Sequence, residues 1–362
     1  MVNDAVPLAQ LKRALVIKLR HHGDVLLSSP VFSVLGNHAP HLEIDALVYV
    51  DTAAMLTLHP AISELHLIDR AWKARGPIAQ AKAEWRVLKG LLRRRYDLVI
   101  HLTEHPRGAW LTRLLQPRYS VAPARGSGHR LWRKSFTHRF GQPNNARRHT
   151  VERNLDALRR IGVYPEADER RLTLLAGAQA EARIDALLEA SNLLGKRFIH
   201  FHPASRWLFK CWSDEGNAEL LRALHERGEQ IVVTAAPDPR ELEMVERIVA
   251  HSRAPVFNLA GQLSLKELAA LCARAHLFVG VDSAPMHIAA AVGTPSVVLF
   301  GPSGELEWGP WMVPHRLITS QAHPCRPCGI DGCGGGKVSE CLTALPAARV
   351  LGAIDDLLQD PA

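Results

Sequence analysis

The sequence predicts an α/β protein built as two doubly wound domains facing each other across a cleft. Three observations predict it. Short apolar runs alternate with longer amphipathic stretches from end to end, the pattern of parallel strands joined by helical crossovers. The chain has 362 residues, more than a single core usually accommodates. The alternation also lapses in a polar, proline-containing passage near 164–179 and then starts afresh. Domains of residues 1–170 and 171–345 are expected, with a closing helix in 346–362.

In the first domain, apolar runs predict strands at Ala14–Leu19, Ile44–Val50, Leu65–Ile68 and Asp97–Leu102. Helical periodicity covers Val25–His38, Ile78–Arg95, Arg107–Leu115 and Val151–Ile161. Between 117 and 150 the pattern dissolves into Pro, Gly, Arg and His around Trp132 and Phe136, so a long basic loop with short elements is expected. In the second domain, helices are expected at Glu181–Ser191, Asp214–Arg227, Arg240–Ala250 and Leu265–Ala275, and strands at Phe198–Phe201, Gln230–Thr234 and Val256–Asn258. Leu277–Val281 then reads as a buried strand broken at Asp282-Ser283. Pro285 opens a helix to about Val292, and a second buried strand, Ser296–Phe300, ends in Gly301-Pro302-Ser303. Asp or Ser suits an N-cap, and Pro suits a first turn, where its missing N–H costs nothing. A last helix is expected over Pro346–Leu358.

The hydrophobic share of 47% and charged share of 22% are those of a soluble globular protein. The apolar runs are too short and too interrupted to cross a membrane, and Ala14–Leu19 is too short for a signal peptide, so a cytosolic protein is expected. The net charge of +8 conceals an asymmetry: residues 1–150 hold 23 Lys and Arg against 10 Asp and Glu, and residues 151–362 hold 21 against 26. That split points to an N-terminal half that meets something polyanionic: phosphorylated glycolipid, membrane surface or nucleic acid.

Ligands of open α/β sheets bind beyond the carboxyl ends of the strands, so the strand-end turns carry the candidate chemistry. The first is Lys18-Leu19-Arg20-His21-His22-Gly23-Asp24. It has neither G-x-G-x-x-G nor a Walker A sequence, which argues against dinucleotide and P-loop chemistry. Two readings of Asp24 stand side by side: it caps the next helix, or it is a general base with Arg20, His21 and His22 recognising an anionic substrate. In the turn from His200 to Trp212, Lys210 is a point charge suited to a diphosphate and Ser205 a donor to a phosphate oxygen. Asp238 or Glu241, after strand 230–234, is placed to accept from ribose hydroxyls. The opening of the helix at Pro285 offers free amides to an anion. Cys325, Cys328, Cys333 and Cys341 present only one short-spaced pair, so no metal site is assigned.

These segments together resemble the bacterial lipopolysaccharide heptosyltransferases, closest to the heptosyltransferase III branch. The matching pieces are VIKLRHHGDVLLSSPV (16–31), DRAWK (69–73), RYDLVIHL (95–102), SRWLFKCW (205–212), AGQLSLKELAAL (260–271) and VGVDSAPMHIAAAVGTPSVVLFGPS (279–303). The resemblance implies a GT-B fold of two Rossmann-like domains, the first binding acceptor and the second an ADP-sugar. It implies inverting, metal-independent transfer of heptose from ADP-heptose, a co-substrate, to the inner core of lipopolysaccharide, with no cofactor.

By the same resemblance Asp24 is the catalytic aspartate, Lys210 the donor-phosphate lysine, and Ser205 its accompanying hydroxyl. Asp282, Ser283 and His287 form a D-[ST]-x-x-x-H element at the diphosphate. With Pro285 lacking an amide, Ser283, Ala284, Met286 and His287 are the expected backbone donors. Ala284 stands where many relatives have glycine, and the ribose role, which falls to Glu241, matches the family less well. Arg70, Lys73, Arg75, Arg107, Arg130, Arg133 and Lys134 are expected to join Arg20, His21 and His22 on the acceptor. Trp72 and Trp132 are expected at a membrane interface on the cytoplasmic face of the inner membrane. A monomer is expected. The rival readings are heptosyltransferase I or II, a basic nucleic-acid-binding protein, and a nicotinamide-dependent oxidoreductase. The last is disfavoured by the missing glycine fingerprint, and nucleic acid by the lack of any recognisable module.

Overall fold

A computed structural model describes residues 4–124, 130–141 and 148–359. The chain divides into two compact units, Met1–Leu174 and Leu175–Ala362. In the first unit the order is β1 (Arg13–Ile17), α1 (His22–Leu26), α2 (Ser29–His38), β2 (Glu43–Tyr49), β3 (Glu64–Ile68), α3 (Pro77–Arg94), β4 (Leu98–His101), α4 (Pro106–Leu115), β5 (Tyr119–Pro123), α5 (Arg130–Ser135), β6 (His138–Phe140) and α6 (Thr150–Arg160). In the second it is α7 (Ala178–Ala190), β7 (Ile199–His202), α8 (Asp214–Glu226), β8 (Ile231–Val233), α9 (Pro239–Ser252), β9 (Phe257–Asn258), α10 (Leu265–Arg274), β10 (Leu277–Val281), α11 (Ala284–Ala291), β11 (Ser296–Phe300), α12 (Glu305–Trp308), β12 (His315–Thr319), α13 (Glu340–Thr343) and α14 (Ala347–Gln359).

Each unit carries one six-stranded parallel sheet. The orders are β3-β2-β1-β4-β5-β6 and β12-β11-β10-β7-β8-β9, the same doubly wound topology twice. Central strands such as β10 and β11 are buried along their whole length, which is why they read as unbroken apolar runs. The strand order reverses between β1 and β4 in one sheet and between β7 and β10 in the other. At such a switch point the loops diverge and leave a crevice at the carboxyl edge. Gly280 lets β10 lie tight against β7, since a Cβ there would sit 2.8 Å from the His202 carbonyl oxygen. Helix α14 packs Val350, Ile354 and Leu357 into the core of the second unit. Among the described residues no helix is long and apolar enough to cross a membrane.

Two expectations need correction. Val25–His38 is not one helix but α1 and α2, broken at Leu27-Ser28, where the Ser28 Oγ donates back to the Val25 carbonyl. The basic stretch 117–150 does carry the short elements expected of it, β5, α5 and β6; its residues 125–129 and 142–147 lie outside the described set. Strand β12 was not anticipated, because His315-Arg316-Leu317-Ile318-Thr319 is a half-polar edge strand without a long apolar run.

Candidate functional site

In the first unit the switch point holds the Lys18–Asp24 turn. His21 occupies the N-cap of α1 and Asp24 lies in the first turn, so capping by Asp24 is not what the turn uses it for. Its carboxylate is half-buried at the helix start, where the dipole favours negative charge. Arg70 closes this corner: its guanidinium donates to Asp51 at 2.7 Å and to the Arg20 carbonyl at 3.0 Å, and lies 3.9 Å from the Tyr49 ring centroid. His22 Nε2 meets the Asp51 carbonyl at 2.9 Å. Arg70 and His22 are thereby tied down as braces of the turn, while Arg20 and His21 are exposed. Arg75 pairs with Asp69 at 3.2 Å, and Lys73 is exposed on the same segment. Arg107 pairs with Glu84 at 3.0 Å, and Arg130, Arg133 and Lys134 are exposed on α5. The structure thus gathers Arg20, His21, His22, Asp24 and Arg70 at one strand end.

Beneath this turn is a group that the sequence reading passed over. Lys18 is buried, and its ammonium donates to the Leu102 carbonyl at 3.3 Å and to Asn154 Oδ1 at 3.0 Å. Asn154 in turn donates to the Leu27 carbonyl at 2.9 Å. Burial pulls the Lys18 pKa down to about 8, and the nearby Asp24 charge opposes that fall. The folded chain therefore releases this proton before the unfolded chain, whose lysine titrates near 10.5. Between those values the unfolded state binds more protons, so stability rises with pH. The wild type should gain about 1.5 kcal/mol from this group between about pH 8 and 9.5, a gain absent from Lys18→Met. Denaturant titrations of both proteins at the two pH values measure it; equal gains would remove Lys18 as the source.

In the second unit the switch point brings together two residues 72 positions apart. Lys210 Nζ donates to Asp282 Oδ2 at 2.6 Å. Asp282 is buried, whereas the Lys210 side chain keeps 23% of its surface exposed. One N–H of the ammonium is anchored and the other two remain for an anion. Ser283 is the N-cap of α11 but makes no side-chain cap bond, and its Oγ donates to the Val281 carbonyl at 3.3 Å. Met286 corrects an expectation. Its amide already donates to the Ser283 carbonyl at 3.2 Å and its side chain is fully buried, so it belongs to the core and not to a ligand. Ala284 is partly exposed at the helix start and His287 is buried one turn in.

Ser205 is buried, and its Oγ accepts from the Trp207 amide at 3.3 Å, which fixes its own loop and leaves its hydroxyl proton for another acceptor. Glu241 is buried after β8, with Oε2 accepting from the Ala236 amide at 3.1 Å; burial raises its pKa. Asp238 caps α9 and pairs with Arg240, so its oxygens are engaged. Below the edge, His200 Nε2 and His202 Nδ1 both meet Thr234 Oγ1, at 2.7 and 2.8 Å. Burial holds both imidazoles neutral at pH 7 and lowers His202 to about 4.

The two tryptophans expected at a membrane interface are not there. Trp132 is 2% exposed, with Nε1 donating to the Pro123 carbonyl at 2.8 Å, and Trp72 packs against the core. A ring whose N–H finds a partner inside the fold is a core residue. Among the described residues, one trio of ligand-type side chains has its ligand atoms within 4.8 Å of one another: Asp45, Glu64 and His66. Both Asp45 oxygens are engaged there, by Arg94 at 2.7 and 2.9 Å and by the Tyr96 hydroxyl at 2.6 Å. Burial alone would raise this carboxyl, yet the hydrogen bonds from His66, Arg94 and Tyr96 hold it at about 2. Asp45 is thereby committed to a structural ion pair with Arg94. Cys325, Cys328 and Cys333 are exposed and Cys341 buried.

Residues 84–338 match glycosyltransferase family 9 (heptosyltransferase). The chain is 35% identical to lipopolysaccharide heptosyltransferase 3 of Escherichia coli over 94% of its own length and 97% of that protein. The chain belongs to glycosyltransferase family 9. Among solved structures it shares its fold with the family 9 glycosyl transferase from Veillonella parvula DSM 2008, at TM-score 0.84 and 24% identity, covering 99% of this chain and 100% of that one. It is also similar to E. coli heptosyltransferase WaaC with ADP, at TM-score 0.74 and 20% identity over 95% and 99% of the two chains. As a family 9 member the protein is a glycosyltransferase, and its paired doubly wound units are the GT-B fold that the resemblance implied.

Proposed function

We propose that this family 9 enzyme transfers heptose from ADP-heptose to the inner core of lipopolysaccharide, in the manner of heptosyltransferase III, with inversion at the anomeric carbon. The first unit supplies the base and the second the anion clamp. The acceptor hydroxyl gives its proton to the Asp24 carboxylate as its oxygen bonds to the anomeric carbon. The bond from that carbon to the ADP oxygen breaks, and the electron pair leaves with ADP. Lys210 and the Ser283 and Ala284 amides stabilise the charge that gathers on the diphosphate. Ser205 donates to a phosphate oxygen, His287 supports the start of α11, and Glu241 accepts from the ribose. Arg20 and His21 lead on the acceptor side, with Lys73 and Arg75 nearby.

The observation that carries this reading is the Lys210–Asp282 pair beside the opening of α11: a cation oriented by a buried carboxylate at a sheet switch point suits a diphosphate. The kinship with lipopolysaccharide heptosyltransferase 3 supports the acceptor class, and the solved WaaC with ADP supports the nucleotide. The reading needs no divalent ion, because the clamp meets the leaving charge, and no cofactor beyond the donor. The enzyme then works as a monomer at the cytoplasmic face of the inner membrane. Turnover should be unchanged in excess EDTA; activity lost to the chelator and restored by a divalent ion would overturn the metal-free step.

A further inference from the structure

Helices α3, α4 and α5 lie side by side as one layer of the first unit: α3 packs beside α4 and α4 beside α5. The Glu84–Arg107 pair ties α3 to α4 at 3.0 Å, and Trp132 packs α5 onto Ala109 of α4. The three helices hold ten Lys and Arg against one acid, Glu84. Their outer surface is also apolar where a water-facing layer has no reason to be. Ile78 is 84% exposed, Trp85 60% and Leu92 40% along α3, and Trp110, Leu114 and Leu131 on α4 and α5 are exposed too. At 100° per residue Ile78, Trp85 and Leu92 fall within about 40° of one another on α3, and Lys82 and Lys89 flank them on one side, so that all five share a face about 80° wide. A shallow depression between α4 and α5, lined by Arg113, Lys134 and Thr137, opens nearby.

We propose that this α3–α4–α5 face docks the enzyme onto an anionic lipid bilayer, with Trp85 and Trp110 seated in the headgroup layer and the lysines on lipid phosphates. Indole rings are favoured at that depth, and interleaved cations and apolar side chains are what a charged interface takes up. Each basic charge near such a surface is worth about fivefold in partitioning, so the cluster holds the protein reversibly without an anchor. Nucleic acid explains the charge but not the protruding Ile78 and Leu92. A second copy of the chain is opposed by the like charge it would bring. The inference deepens the proposed function and rests on it for a lipid-borne acceptor, but docking is measured without substrate.

The test is flotation of the full-length protein with vesicles of phosphatidylethanolamine and phosphatidylglycerol, and with phosphatidylcholine vesicles as comparison. Binding to the anionic vesicles is expected, weakened at least tenfold in Trp85→Glu/Trp110→Glu and similarly in Lys82→Gln/Lys89→Gln. All four side chains are exposed, and unchanged melting temperatures check the fold; should the double glutamate variant misfold, the glutamine pair alone decides. Both variants should keep wild-type transfer to a deacylated, water-soluble acceptor. Wild-type vesicle binding by both variants, or no binding of the wild type to anionic vesicles, overturns the proposal. So does short duplex DNA bound through Trp85 and Lys82 in place of vesicles, or self-association abolished by Trp85→Glu. If the wild type binds vesicles but transfers to no acceptor, the proposed function fails and the docking face stands.

Discussion

Replacing Asp24 by alanine should lower turnover at least a hundredfold while ADP affinity stays within about twofold. General-base catalysis contributes about 10²–10⁴-fold, and Asp24 belongs to a different compact unit from the residues proposed to hold the nucleotide. Asp24→Asn should lose as much, because the amide cannot take a proton, and its near-identical volume removes a packing explanation. The half-buried position at the start of α1 makes either change mild for folding. Steady-state kinetics with calorimetric ADP binding separates the two effects. A variant that keeps more than a tenth of wild-type turnover excludes Asp24 as the base.

Lys210→Ala should cost about 10²–10³ in turnover, the usual loss when one fixed donor is taken from a developing anion. The loss has two parts, and the structure tells how to separate them. Lys210 contributes its own charge, and it also neutralises Asp282, which is buried 2.6 Å away. Removing the lysine alone leaves a buried carboxylate facing the diphosphate. Lys210→Ala/Asp282→Ala should therefore be more active than Lys210→Ala, and the double-mutant cycle should show strong coupling. Asp282→Asn should lose less than either, since the amide oxygen still accepts from the ammonium. An unchanged rate in Lys210→Ala, or simple additivity of the two substitutions, would remove the pair from the clamp.

The parallel strands were legible because burial on both faces leaves a mark in the sequence: Leu277–Val281 and Ser296–Phe300 are uninterrupted and lie where expected. The strand-end turns were legible for the same reason, since an apolar run that stops abruptly marks a carboxyl edge. What stayed hidden depends on tertiary pairing. Nothing near Lys210 announces Asp282, 72 residues on. Lys18 reads as the start of a polar turn, and only the position of Asn154 on α6 shows it to be a buried, satisfied cation. Trp132 sits among arginines and reads as a surface aromatic, but the Pro123 carbonyl takes its N–H inside the fold. Trp85 and Trp110 are exposed instead, on helices whose spacing alone does not say which side faces solvent. Strands β5 and β6 are short, and β6 carries His138 and Arg139 within the basic stretch, so composition masked them.

The most direct measurement of the central claim is product analysis. The purified protein is incubated in EDTA with ADP-heptose and a truncated lipopolysaccharide core, and the product is characterised by mass and by the anomeric coupling of the new sugar. The account requires one heptose added per acceptor, one ADP released, and a glycosidic bond of configuration opposite to the donor's. Retained configuration, or intact ADP-heptose beside an unmodified core, would contradict it.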